Sequence, residues 1–164
     1  MKSLPTIVVA VILSAAIFHN VISDERPFGI PEGAEFVKVD RVIDGDTIVL
    51  MDRTRIRLHG IDAPEPDQLY GAMATAALKH MVARSVYLID VDTDRYGRTV
   101  GQLYHSTEGY DINASMVCAG HAWWYERYAP DNELLKSCHK EAQNAPKGLW
   151  ESDDPMPPWK WRRR

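Results

Sequence analysis

The sequence predicts an α+β fold: a small five-stranded β-barrel with about three packed α-helices. Three observations predict it. Short strand-like runs separated by turns occupy residues 34–58 and 85–104, one alanine-rich helical stretch interrupts them, and two further helical stretches follow. Short strands with turns, interrupted by one helix and followed by two, suggest a small barrel with helices packed on it. An OB-type barrel is the arrangement of this kind that they fit best.

The length of 164 residues gives one domain with a real core. Hydrophobic content of 45% and charged content of 26% are ordinary for a soluble globular chain. The formal net charge of −4 excludes a protein that coats nucleic acid by bulk positive charge. An anionic substrate would have to be held locally, by a cation and a few arginines. The one basic cluster, Lys160 with Arg162, Arg163 and Arg164, reads as a solvated tail.

Residues 1–23 read as a targeting segment. Lys2 gives a short positive start, and residues 7–18 form an apolar run of signal-sequence length, short for a membrane span. Cleavage before Asp24 would release an exported protein, secreted or periplasmic; an uncleaved N-terminal anchor is the alternative. Residues 24–33, with two prolines and two glycines, form a linker. A single domain then spans 34–151, and a tail rich in proline, tryptophan and arginine, expected to be extended, fills 152–164.

Within the domain, Phe36, Val37, Val39 and Val42 open a strand. Residues 47–50 and 55–58 alternate in polarity as half-buried strands do, with Met51, Asp52 and Arg53 as the hairpin loop between them. Residues 70–84 predict a helix, with Ala74, Ala77, Leu78 and Met81 at helical spacing. Residues 85–91 and the run through Val100, Leu103 and Tyr104 are strands flanking a turn at 92–98. Residues 112–119 predict a short helix ending at Gly120. The last helix opens at Asp131 or Asn132 and ends at or before Pro146.

The chemistry is concentrated in residues 41–65. The hairpin would bring Asp46, just before one strand, near Asp62, just after the next, with Glu65 one turn beyond and Arg57 inside the second strand. Converging carboxylates repel unless a cation or proton sits between them. Hard oxygen ligands suit Ca²⁺ or Mg²⁺, and an arginine beside them suits a phosphate.

Three motifs carry a resemblance to a known family: Ile43-Asp44-Gly45-Asp46-Thr47, then Arg57-Leu58-His59-Gly60-Ile61-Asp62-Ala63-Pro64-Glu65, then Asp94-Arg95-Tyr96-Gly97-Arg98. In this order and spacing they resemble the staphylococcal nuclease, or thermonuclease, family. The likeness covers residues 34–151 and includes Glu141-Ala142-Gln143 and Gly148-Leu149-Trp150. It implies an OB-fold barrel and Ca²⁺-dependent hydrolysis of phosphodiester bonds in DNA or RNA. It also implies roles. Asp46 and Asp62 match the metal-binding aspartates, and Ala63 stands where the family offers a main-chain carbonyl. Glu65 matches the proposed general base, and Arg57 and Arg98 match the phosphate-binding arginines. Arg95, Tyr96 and Tyr128 fall where the family contacts the nucleotide. Two departures bear on substrate preference: the loop at 66–70 is shorter than in the family's best-known member, and Glu126 lies near where an aromatic contact is expected.

Other residues read as structural. Asp44 supports the turn. His59, His80, His105, His121 and His139 lack metal-ligand spacing, and Trp123, Trp124 and Trp150 read as core or rim packing. Cys118 and Cys138 also lack metal spacing; in an exported chain two cysteines favour a disulfide over free thiols. A non-catalytic nucleic-acid- or protein-binding module on the same barrel is the alternative function, disfavoured because the carboxylates and both arginines are all present. A glycosidase would not need both arginines. The sequence implies no stable protein partner and a monomer.

Overall fold

A computed structural model describes residues 26–164; the expected targeting segment lies outside the described residues. The barrel strands are β1 (Glu35–Asp44), β2 (Thr47–Leu50), β3 (Arg55–Leu58), β5 (Ser85–Thr93) and β6 (Thr99–His105), closed in the order β1-β2-β3-β6-β5. A two-residue pair, β4 (Ile61–Asp62) with β7 (Trp123–Trp124), lies beside it. Three helices pack on the barrel: α1 (Gly71–Val82), α2 (Ile112–Cys118) and α3 (Glu133–Asn144). The OB-type barrel with its three packed helices is the fold expected.

β1 closes the barrel by serving two neighbours. Glu35–Lys38 pair with β5, and Val39–Asp44 pair with β2 through two register shifts. Such bulges bend a strand and increase its twist, which is how one strand turns a barrel corner. On the other side β3 meets β6 in parallel, Arg57 opposite Val100 and Leu58 opposite Gly101. Gly101 makes that seam possible: a Cβ there would lie 2.4 Å from Leu88 Cδ1 and 3.1 Å from Ile56 Cγ2.

Ile48, Ile56, Leu58, Val86 and Leu103 fill the core together with Leu78 and Val82 of α1, Ile112 and Met116 of α2, and Leu135 of α3. β3 keeps the expected alternation, but β2 does not: all four of its residues are buried. It is a central strand covered on both faces, so the polar–apolar alternation at 47–50 does not mark a solvent side.

The helix ends follow local chemistry. The side chain of Asp111 caps α2 by accepting from the Ala114 amide at 3.0 Å, and Asn132 caps α3 by accepting from Leu135 at 3.0 Å. Cys118, the last residue of α2, is bonded to Cys138 in α3, with Cα atoms 4.3 Å apart. Closing a loop with a sequence separation of 20 stabilises by about 3 kcal/mol through the unfolded chain.

The tail is not extended throughout. Residues Pro158–Trp161 form a helical turn, α4, with Pro158 buried and Pro157 preceding it in an extended conformation. Proline is pre-set for the first helical turn, and tertiary contacts hold this short piece in place.

Candidate active site

The hairpin β2–β3 places Thr47 opposite Arg57, so Asp46 and Arg57 stand at the same end of the barrel. The Leu58 amide donates to the Asp46 carbonyl at 2.8 Å and fixes that register. Gly60, at φ 73°, turns the chain from β3 into β4 and delivers Asp62; added bulk at Gly60 would also strike Leu135 and Ala129.

Asp46 and Asp62 are buried, at 6% and 0% exposure. Buried charges need partners, and every carboxylate oxygen here has one. Asp46 Oδ2 accepts from the Ala63 amide at 2.7 Å, and Asp46 Oδ1 from Thr47 Oγ1 at 3.1 Å. Arg57 Nη2 bridges the pair, 3.1 Å from Asp46 Oδ2 and 2.8 Å from Asp62 Oδ1. Burial pushes the Asp62 carboxyl above the usual carboxylate range. The Asp46 charge pushes the same way, while Arg162 and Arg57 pull back. Asp44 accepts from the Asp46 amide at 3.1 Å, and burial, then the Asp46 charge, raise its carboxyl to about 6. It supports the turn, as expected.

Glu65 lies in the turn between β4 and α1. Its carbonyl accepts from the Gln68 amide at 2.9 Å, and its own amide donates to Gln68 Oε1 at 3.2 Å. Gly71 packs against that turn so closely that a Cβ would come within 1.9 Å of the Glu65 carbonyl oxygen. The first residue of α1 thus has to be glycine for Glu65 to stand where it does.

Arg98 ends the turn between β5 and β6. Asp94 holds it, accepting from Arg98 Nε at 2.8 Å and from the Arg98 amide at 3.0 Å, with the Tyr96 amide adding a third bond at 2.9 Å. Burial alone would raise the Asp94 carboxyl, but these bonds and the Arg98 charge together hold it below the usual range. Arg95 and Arg98 both lie over the Tyr96 ring, at 4.8 and 5.7 Å from its centroid. Tyr96 and Tyr128 are exposed.

All nine residues singled out from the sequence (Asp46, Arg57, Asp62, Ala63, Glu65, Arg95, Tyr96, Arg98 and Tyr128) line one cleft of about 940 Å³. The same cleft includes residues the sequence reading did not assign to it. The most important is Arg162, read as part of a solvated tail. It donates to Asp62 Oδ2 at 2.8 Å and to Glu65 Oε1 at 2.6 Å. Trp159 joins it, stacked on Tyr125 with centroids 4.9 Å apart. The signal was present in Pro157-Pro158-Trp159 and the arginines after it, but a basic terminus alone does not say what it touches.

The donor chemistry fits a hard divalent cation. Asp46 and Asp62 carry buried carboxylates, and the backbone of Ala63 lies beside them with its amide bonded to Asp46 Oδ2; carboxylate and backbone carbonyl oxygens are the ligand types calcium takes. Among the described residues no three His, Cys, Asp or Glu side chains are placed to hold an ion together. An ion here would complete its shell with backbone oxygen and water, as calcium and magnesium commonly do.

A closed OB-type barrel with buried aspartates and several arginines facing one cleft defines a class of protein, and sequence comparison gives the family within it. Residues 55–152 match the family described as Staphylococcal nuclease homologue, and the chain belongs to that family. It is 47% identical over 131 residues to an Escherichia coli O157:H7 protein named "Uncharacterized endonuclease", covering 77% of this chain and 84% of that one. It is 40% identical over 147 residues to the "Micrococcal nuclease" of Shigella flexneri, covering 82% and 84% of the two chains. A rice protein named "Probable staphylococcal-like nuclease CAN1" is 45% identical over 116 residues, 70% of this chain but 34% of its own length.

Proposed function

We propose that this chain is a nuclease, a calcium-dependent hydrolase of phosphodiester bonds in DNA or RNA. Family membership and the names its relatives carry support the nuclease reading. The observation that carries the finer reading is Arg57, whose guanidinium reaches two buried aspartates while lining the cleft that also holds Glu65 and Arg98. Carboxylates and arginines so placed recognise a cation and a phosphate together.

In this reading Asp46, Asp62 and the carbonyl of Ala63 hold calcium. Calcium, when bound, supplies a Lewis acid that neutralises charge on the phosphate. Arg57 and Arg98 donate charge-assisted hydrogen bonds to the non-bridging oxygens as their negative charge grows in the transition state. Glu65 orients the attacking water and takes its proton. Arg95, Tyr96 and Tyr128 line the nucleotide side, the tyrosines by ring contact. The experiment is plasmid cleavage with calcium and with chelator, beside calorimetry of calcium binding to Asp46→Asn. Cleavage should stop on chelation, and the variant should bind calcium more weakly by about tenfold or more. Cleavage indifferent to chelation, or full calcium affinity in Asp46→Asn, overturns the assignment.

We also propose that the chain acts outside the cytoplasm. The apolar run at 7–18 and the Cys118–Cys138 disulfide both fit export to an oxidising compartment. Mass spectrometry of the protein from its native cell should find an N-terminus near Asp24. Protein beginning at Met1 in the cytoplasm excludes export.

A further inference from the structure

The C-terminal segment is fastened to the lip of the cleft at several points. Gln68 Nε2 donates to the Met156 carbonyl at 2.6 Å, and Trp161 Nε1 donates to Asp67 Oδ1 at 3.1 Å. Both acceptor and donor on the barrel side come from the turn that follows Glu65. Between them Pro158 is buried, and the Trp159 ring lies flat on Tyr125, 11° between planes, and edge-on to Trp123 at 5.6 Å. Stacked aromatic pairs add to the area they bury. A seat of this kind fixes where the next residues fall.

Arg162 is what that seat presents to the site. Its Nη1 lies 3.2 Å from Asp62 Oδ1 and its Nη2 lies 2.8 Å from Asp62 Oδ2, so it grips the carboxylate with two nitrogens. Arg57 takes Asp62 Oδ1 from the other side. Both oxygens of a fully buried aspartate are therefore occupied by guanidinium groups, and Nη1 of Arg162 also bonds Glu65. A divalent cation approaching Asp62 meets a positive charge already on its ligand atoms. Like charges that close repel, and one must give way. Arg57 is rooted in β3, whereas Arg162 stands on a short segment with its side chain 44% exposed. Arg162 is the one that can leave.

We propose that residues 157–164 form a strap whose Arg162 competes with the divalent cation for Asp62 and Glu65. This rests on the calcium reading above. Arg162 is then a built-in counter-ion: it neutralises the carboxylates of the metal-free cleft, and calcium has to displace it. When the competent state is only a fraction of the population, apparent affinity falls by that fraction. The competition therefore shows as a weakened calcium Kd in the intact chain.

The test is calorimetric titration of the full chain with calcium chloride at low ionic strength, for the parent, Arg162→Ala, Arg162→Lys and Trp159→Ala. Arg162→Ala should bind calcium more tightly, on the order of tenfold. Arg162→Lys, with a point charge in place of the fork, should fall between it and the parent. Trp159→Ala leaves Arg162 in the sequence but removes its seat, and should also tighten binding. Calcium binding by Arg162→Ala but not by the parent is the strongest form of support. Equal or weaker affinity in Arg162→Ala overturns the strap and leaves the calcium reading standing. Binding by none of the four chains overturns the calcium reading, and the competition with it.

Discussion

Arg57→Ala lowers single-turnover DNA cleavage at saturating calcium on the order of 10²-fold or more, the usual loss when a donor to transition-state charge is removed. The side chain has a second job that the experiment must separate. Its Nη2 is the shared partner of Asp46 and Asp62. Removing one member of a buried ion pair leaves charge without its counter-ion, which destabilises by about 3 kcal/mol. That penalty belongs to the metal-free protein, and saturating calcium offsets it by supplying positive charge to the same oxygens. Thermal unfolding with and without calcium reads the structural part, and cleavage by the calcium-loaded variant reads the chemical part. A folded, calcium-loaded Arg57→Ala protein that cleaves at the parent rate would take the phosphate role away from Arg57.

Glu65→Gln is the second large effect. The amide keeps the shape of the side chain and loses its basicity, so turnover should fall by roughly 10²- to 10⁴-fold, the range of general base catalysis. Calcium affinity should not fall with it, because Asp46 and Asp62 remain. If the strap operates, affinity rises slightly, since Arg162 loses its 2.6 Å bond to Glu65. The pattern to look for is a drop in single-turnover rate with unimpaired calcium binding by calorimetry. A parent-like rate removes the base role from Glu65. A collapse in calcium affinity makes Glu65 a ligand instead.

The parts of the site that are local in the chain were legible in the sequence. Asp46, Arg57 and Asp62 belong to one hairpin and the turn after it, and hairpin register follows from loop length and alternation. Arg98 is fixed by Asp94, four residues earlier. Asn132 capping α3 is a matter of one residue and the helix it starts. What was not legible depends on distant contacts. Arg162 is 100 residues from Asp62, and the four-residue helix just before it is too short to announce itself by periodicity. Its position comes from Trp159 finding Tyr125, a matter of tertiary packing. The complete burial of β2 is likewise a property of its neighbours in the barrel. Gly71 belongs to the same group: its necessity is visible only when the Glu65 carbonyl is seen beside it.

The parallel seam between β3 and β6 also sets an order in time. Each hairpin can form early, because its partners are near neighbours in the chain. The seam joins Ile56 to Thr99 and Leu58 to Gly101 across everything between them, α1 included, and such non-local pairings are slow to form. Asp46, Arg57 and Asp62 assemble with the first hairpin, and Arg98 arrives with the second. Until the seam closes, the two arginines belong to separate pieces of chain and have no common phosphate to grip. On the proposed function, a newly made chain acquires its nuclease only once that seam has closed. A chain halted before that step would pass harmlessly among the nucleic acids of the cell that made it.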